Sequence, residues 1–273
     1  MTVVVLALLS AALFGAMTVA VRMGIKGMRA ETAAVATMLP ALAIALAAAL
    51  PRGGWADAWP FFLAGLVAPG ASQILFALSI REAGPARSSV AVGTAPLVAV
   101  VLAVLLLDEP LKPPLVAGAV LVVGGGIALV WERDRPEHVR AVALLYAVGA
   151  TVLFASRDAL VRALHAHANP ETAAAATLVA GTIVALAAAG PPRRDEVRRL
   201  APAGILFGVS YLCLFEAYFR GRVTVVSPLV ATESLWGVGL SALVLRRTEG
   251  VGRRLALGAV LVVAGGALIG ATR

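Results

Sequence analysis

Side chains able to do chemistry are scarce in this sequence, and the few that interrupt its apolar stretches stand out by position. Glu233 is the only charged residue of the stretch 223–245 and lies near its middle. No basic residue sits three or four positions away to neutralise it, while Trp236 and Gly237 follow at i+3 and i+4. On a helix that spacing puts all three on one face. A carboxylate beside an indole and a gap could hold a cation or exchange a proton with one; a protonated acid hydrogen-bonded to a neighbouring helix is the alternative. Arg157 is the second candidate for contact with a substrate or a coupling ion, since no acidic residue lies four positions away. Asp158 with Arg162, and Glu216 with Arg220, are each four apart, and both pairs are expected to close as ion pairs near a membrane interface. Arg22 and Arg162 are expected to carry their charges out to the interface on long apolar stems.

The uncharged polar candidates within apolar stretches are Ser72, Gln73, Thr94, Ser156, Ser210, Tyr211 and Ser234, chosen from a larger set of serines and threonines there. Each could touch a substrate or simply join two helices by a hydrogen bond. Pro69, Pro96 and Pro228 free carbonyls one turn earlier and are candidate hinges. Enzyme motifs are missing: there is no HExxH, no GxSxG and no P-loop. His165 and His167 diverge on a helix and lack a third ligand, so neither a metal nor another cofactor is expected. The lone Cys213 excludes an intrachain disulfide.

The elements that must position these groups follow from composition. Sixty per cent of residues are hydrophobic and 14% are charged, too apolar for a soluble domain of this length. Charge-free stretches run over 3–21, 32–50, 59–80, 88–107, 113–131, 172–192 and 255–272. Each is close to the roughly 20 residues that carry a helix across the hydrocarbon layer. Three more candidates, 141–162, 200–219 and 223–245, carry one or a few charges. Lipid offers the backbone no hydrogen-bond partners, so every such stretch is predicted to be a helix. The reading is an all-α integral membrane protein with ten transmembrane helices. Trp55, Trp59 and Trp131 mark stretch edges, as an interfacial aromatic belt would.

The chain also repeats itself. "GAVLVVGGG" (118–126) returns as "GAVLVVAGG" (258–266), and "ETAAVAT" (31–37) as "ETAAAAT" (171–177), both at an offset of 140 residues. Phe14 and Arg22 match Phe154 and Arg162, while Gly65, Phe76 and Arg81 match Gly204, Phe215 and Arg220. Two five-helix repeats, 1–135 and 141–273, are joined by the charged link 131–140. An odd number of spans inserts the second copy upside down, giving inverted repeats about an axis in the membrane plane, an arrangement recurrent in secondary transporters. Gly118 and Gly125, like Gly258 and Gly265, are seven apart and share a face, which marks them as packing seams.

The stretch "ARSSVAVGTAPLVAVVLAVLLLDEPLKPPLVAGAVLVVGGGIAL" (86–129) resembles the EamA-type half-domain of the drug/metabolite transporter superfamily. Its pattern is a mid-helix proline, an acidic residue closing that helix and a Gly-Ala opening the next: Pro96, Glu109 and Gly118-Ala119. The second half resembles it through Glu233, Glu249 and Gly258-Ala259, with Glu233-Ser234 where the family usually has Glu-Pro. The resemblance implies a ten-helix carrier with a central cavity, often an exporter of amino acids, metabolites or amphiphilic drugs. A lipid or lipid-linked-sugar flippase and a non-transporting membrane subunit are the other classes. The expected partners are a small-molecule substrate, membrane lipids, and a proton or another ion. No nucleic acid is expected, because the net charge of +8 suits loops lying against anionic headgroups. The expected location is the inner (plasma) membrane, as a monomer or homodimer.

Odd-numbered links hold more than twice as many Lys and Arg as even-numbered ones. By the positive-inside rule both termini then lie outside, whereas familiar members of the family keep both in the cytoplasm. A reporter fused after Arg273 separates the two: external activity follows if loop charge governs insertion, cytoplasmic activity if the family habit does.

Overall fold

A computed structural model describes residues 2–98, 113–130, 141–165, 168–245 and 252–270. Among these residues every regular element is helical. The helices are α1 (Thr2–Gly24), α2 (Ala30–Ala49), α3 (Trp59–Gly65), α4 (Ser72–Ala83), α5 (Pro85–Val92), α6 (Pro113–Val130), α7 (Ala141–Ala163), α8 (Pro170–Ala189), α9 (Arg194–Arg220), α10 (Val223–Val230), α11 (Glu233–Val244) and α12 (Arg253–Gly270). Seven helical stretches are long and apolar enough to cross a membrane: Thr2–Gly24, Ala30–Ala49, Ala56–Ala83, Val142–Ala163, Pro170–Ala189, Arg194–Arg220 and Val225–Val244. Val116–Gly125 is a shorter apolar helix. The closing part of the fourth predicted stretch, the link 131–140, Glu109, Trp131, His167, Glu249 and Arg273 lie outside the described residues.

Helix boundaries follow local chemistry. Asn169 caps α8 by accepting from the Thr172 N–H at 2.9 Å, with Pro170 at the first helical position. Glu196 reaches back to the Arg193 N–H at 2.7 Å and tethers the start of α9. Gly84, at φ +87°, lets α4 turn directly into α5.

The repeated glycines decide how the halves meet. A Cβ added to Gly118 would lie 2.7 Å from the Gly265 carbonyl oxygen, and one added to Gly125 would lie 2.7 Å from that of Gly258. As the residue number rises along α6 it falls along α12, so these repeat mates pack antiparallel, each nonapeptide against the other. An antiparallel pair of equivalent helices needs a two-fold axis across them, and this is the inverted repeat. The same axis relates two further contacts: Gly65 on α3 abuts the Thr177 backbone of α8, and Gly204 on α9 abuts the Thr37 backbone of α2. Each half therefore lends its second helix to the third helix of the other half.

Arg22 and Arg162, each in the last turn of its helix, also obey the axis. Arg22 donates to the Arg81 carbonyl at 2.7 Å, at the end of α4. Arg162 donates to the Tyr218 and Phe219 carbonyls at 3.2 and 3.1 Å, at the end of α9. Both guanidinium groups are drawn to helix C-termini, where unpaired carbonyls and the helix dipole favour a cation.

Three of the apolar stretches depart from a regular α-helix. Ala68 leaves helical geometry (φ −141°, ψ 117°) immediately before Pro69, as steric conflict with the proline ring favours. The other two breaks in regularity fall at equivalent places in the halves, at Gly93–Thr94 and Ala231–Thr232. Gly93, Ala231 and Thr232 keep right-handed helical dihedrals, and the Thr94 and Thr232 N–H groups bond carbonyls three residues back, so each is a tightened turn. At each, a threonine hydroxyl bonds a carbonyl three residues back: Thr94 to Ala91 and Thr232 to Leu229, both at 2.6 Å. Pro96 follows its break and Pro228 precedes the other, so these prolines flank the interruptions and do not occupy them. The breaks touch, since a Cβ on Gly93 would sit 2.8 Å from Ser234 Oγ.

Enlarging the seam tests the packing. Gly118→Val and Gly258→Val should each destabilise the protein by about 1–3 kcal/mol through overpacking, by similar amounts because the axis relates the two sites. Thermal unfolding in detergent measures both; a harmless change at either site contradicts the packing.

Candidate functional site

Among the described residues the buried charges are Arg87 in the first half and Arg157, Asp158 and Glu233 in the second. Arg157 on α7 is 5% exposed and bonds Asp158 Oδ1 through Nε at 2.9 Å and Nη2 at 2.6 Å. Tyr218 on α9 donates its hydroxyl to Asp158 Oδ2 at 3.1 Å. The guanidinium lies 5.3 Å from the ring centre of Phe154 and 5.0 Å from that of Tyr211, within cation–π range of both. The Tyr211 hydroxyl meets Thr177 Oγ1 at 3.0 Å. Neighbouring residues on a helix do not face each other. The Arg157–Asp158 pair closes because the long arginine side chain folds back, held flat by the two rings.

An aromatic layer continues from this cluster. Phe14 of α1 stacks on Phe76 of α4 at 5.3 Å and meets Phe154 and Phe207 edge-on at 6.1 and 6.2 Å. Phe76 also meets Phe154 at 5.9 Å. Glu233 is the first residue of α11, directly after the break, and is 4% exposed. Arg157 and Asp158 are the charged groups whose fields reach it, and Tyr218 feels its field in turn. No hydrogen bond or ion pair engages its side chain among the described residues.

Several sequence expectations change here. Asp158 pairs with Arg157, not with Arg162, because the cap at the end of α9 claims Arg162; Arg157 is thus a paired cation. Glu216 does pair with Arg220, Nε to Oε1 at 2.6 Å. Trp236 does not accompany Glu233 inward. It is 47% exposed on the apolar flank shared with Leu235, Leu243 and Val244, while Glu233, Ser234, Gly237, Val238 and Ser241 form the buried side of α11. Nor is Gly237 a gap, since the Ser89 side chain fills the space where a Cβ would go.

Ser156, Thr94 and Ser234 donate to carbonyls of their own helical segments: Val152 at 2.8 Å, Ala91 at 2.6 Å and Ala231 at 2.6 Å. Ser210 clips α9 to α1 through reciprocal bonds with Ser10, at 2.8 and 2.9 Å. Ser72 Oγ and Gln73 Oε1, just past the Ala68 interruption, are buried without a hydrogen-bond partner among the described residues. His165 Nδ1 lies 2.7 Å from the Arg162 carbonyl oxygen. An apolar groove of about 340 Å³ beside Trp55, Trp59, Phe62 and Val179 contains none of these residues.

Sequence reasoning missed Asp158 and Tyr218 as members of the cluster, and it missed Arg87, which is fully buried in the first turn of α5 and donates to the Ala83 carbonyl. A signal was present. Asp158 and Tyr218 replace residues that are Thr18 and Ser79 in the first repeat, so comparison of the halves marks both as additions.

Interrupted apolar helices meeting at an inverted-repeat axis, with buried charge beside them, define a multi-pass membrane protein of the transporter kind. The chain belongs to the EamA-like transporter family, whose model matches residues 1–131 and again 141–271. A crystal structure, described only as that of a protein, superposes with a TM-score of 0.71 at 21% identity, covering 99% of this chain and 96% of that one. At that identity the likeness speaks to the fold alone. No curated protein matches the sequence.

The placement of Trp236 can be checked directly. With Trp55, Trp59 and Trp131 changed to Phe, the remaining fluorescence should be quenched by lipids brominated along their acyl chains and spared by aqueous iodide. Iodide quenching would instead place the indole in a water-filled cavity.

Proposed function

We propose that the chain crosses the inner (plasma) membrane ten times, five in each of the halves 1–135 and 141–273, and works as a secondary carrier. It exports a small metabolite, amino acid or drug-like compound through a central cavity by alternating access. The observation that carries this reading is the Arg157–Asp158–Tyr218–Glu233 cluster, buried beside two interrupted helices. Ionisable groups within a membrane are costly and mark substrate or ion paths. Interrupted helices at matching places in inverted repeats are where transporters of several folds bind substrate. The sequence contains no nucleotide-binding motif, so uphill movement would draw on an ion gradient. Glu233 is the coupling group in this reading, taking up a proton or yielding it to a cationic partner.

Ser72 and Gln73 are further contacts for the substrate, because a buried polar atom left unpaired in the protein is stabilised by a ligand that pairs it. Tyr211 serves beside Arg157 at the aromatic wall. Pro69, Pro96 and Pro228, next to the interruptions, are the places where α3–α4, the fourth span and α10–α11 would bend.

Purified protein is first screened by thermal shift against amino acids, nucleosides and cationic dyes, and the compounds that stabilise it are then followed in proteoliposomes. Glu233→Gln should fold normally and abolish the pH dependence of flux. Arg220→Gln, which removes only the exposed pair with Glu216, should leave flux and its pH dependence as they are. Normal pH-dependent transport by Glu233→Gln would make the carboxylate structural.

A further inference from the structure

Glu233 lies in the field of Arg157, yet its side chain has no hydrogen bond or ion pair among the described residues. Arg157 is held instead by two hydrogen bonds to Asp158 Oδ1 and by the rings of Phe154 and Tyr211, both within cation–π range of its guanidinium. Asp158 is itself held through Oδ2 by the Tyr218 hydroxyl. The cluster contains one cation and two carboxyl groups, and the geometry assigns the cation to Asp158. We propose that Asp158, oriented by Tyr218, is a positioning residue that holds Arg157 against the aromatic wall and so keeps Glu233 free of a permanent partner. The proposal rests on the reading of Glu233 as the working carboxyl group.

The argument turns on what a buried guanidinium does when its partner is lost. An unpaired buried charge is strongly unfavourable, so Arg157 deprived of the Asp158 charge takes the remaining carboxylate in its field, which is Glu233. Among the described residues, the charged groups on the other elements packed on α11 are engaged or placed elsewhere. Arg22 of α1 is turned to the end of α4, Arg87 of α5 donates to the Ala83 carbonyl, and Arg253 and Arg254 of α12 lie exposed at its start. The phenols of Tyr211 and Tyr218 complete the surroundings. Paired with Arg157, Glu233 would become a fixed carboxylate, unable to exchange a proton. Asp158 thus has no need to touch a substrate to control transport.

The first repeat supports this assignment by contrast. At the positions matching Arg157, Asp158, Tyr218 and Glu233 it has Met17, Thr18, Ser79 and Ala95, so the cation and both carboxyl groups are absent together.

The test needs no substrate. Infrared difference spectra of the purified protein in lipid, stepped in pH across neutrality, report buried carboxyl groups through the C=O stretch of the acid form. Wild type should show a titrating band that Glu233→Gln removes. Asp158→Asn should also lose it, whereas R157Q/D158N, which deletes the cation together with its holder, should regain it. If the band survives Glu233→Gln, the reading of Glu233 fails. If Glu233→Gln removes it while Asp158→Asn keeps it, Glu233 stands and the positioning role falls. Absence from both D158N and R157Q/D158N overturns the proposal too, because Asp158 would then act only by holding the fold. Should those variants not fold, Tyr218→Phe decides: it loosens Asp158 without deleting charge and must weaken or shift the band, and an unchanged band overturns the proposal.

Discussion

Two glycine-faced helices in contact, α6 and α12, set the symmetry that the remaining helices follow. Between helices in lipid there is little hydrophobic gain, because the surrounding chains are as apolar as the side chains they would replace. Association depends on close approach, and residues without a Cβ allow backbones to approach most closely. Gly118 against Gly265 and Gly125 against Gly258 make that contact twice across one axis. Gly65 on Thr177 and Gly204 on Thr37 repeat the device further out. Small residues at equivalent places are thus the physical form of the duplication.

Once the axis exists, the helix interruptions must meet near it. Irregular backbone is tolerated at membrane depth only where protein or a cavity surrounds it. The threonine hydroxyls at the two turns bond carbonyls that the same residues' N–H groups also engage, and Gly93 packs against Ser234 where the two turns meet. One of these turns has Glu233 directly after it. Fold and candidate chemistry therefore share a cause, since the device that interrupts the span also presents the carboxyl group.

Symmetry of backbone is not matched by symmetry of charge. Phe14 and Phe154, Phe76 and Phe215, and Arg22 and Arg162 are retained in both halves and serve packing or capping. Arg157, Asp158, Tyr218 and Glu233 have no polar-for-charged equivalents closer than Thr18 and Ser79. Duplicated residues build the frame, and the unduplicated ones give it one polar side.

The sequence by itself determined the helical class, the membrane habit, the repeat and the inverted relation of its halves, and it singled out Glu233 as a candidate. These follow from hydropathy, an odd number of spans and the cost of a charge in lipid, all of which act along one chain. Pairing was decided only by tertiary structure. Spacing of four residues offered Asp158 to Arg162, and the three-dimensional arrangement gave it to Arg157 because the carbonyls ending α9, on another helix, hold Arg162. Spacing likewise set Trp236 beside Glu233, and packing against Gly15 and Ser89 turned that flank of α11 outward. Helical periodicity fixes neighbours on one helix. Which neighbour a side chain chooses depends on donors, rings and carbonyls brought in by other helices, and no local pattern records those.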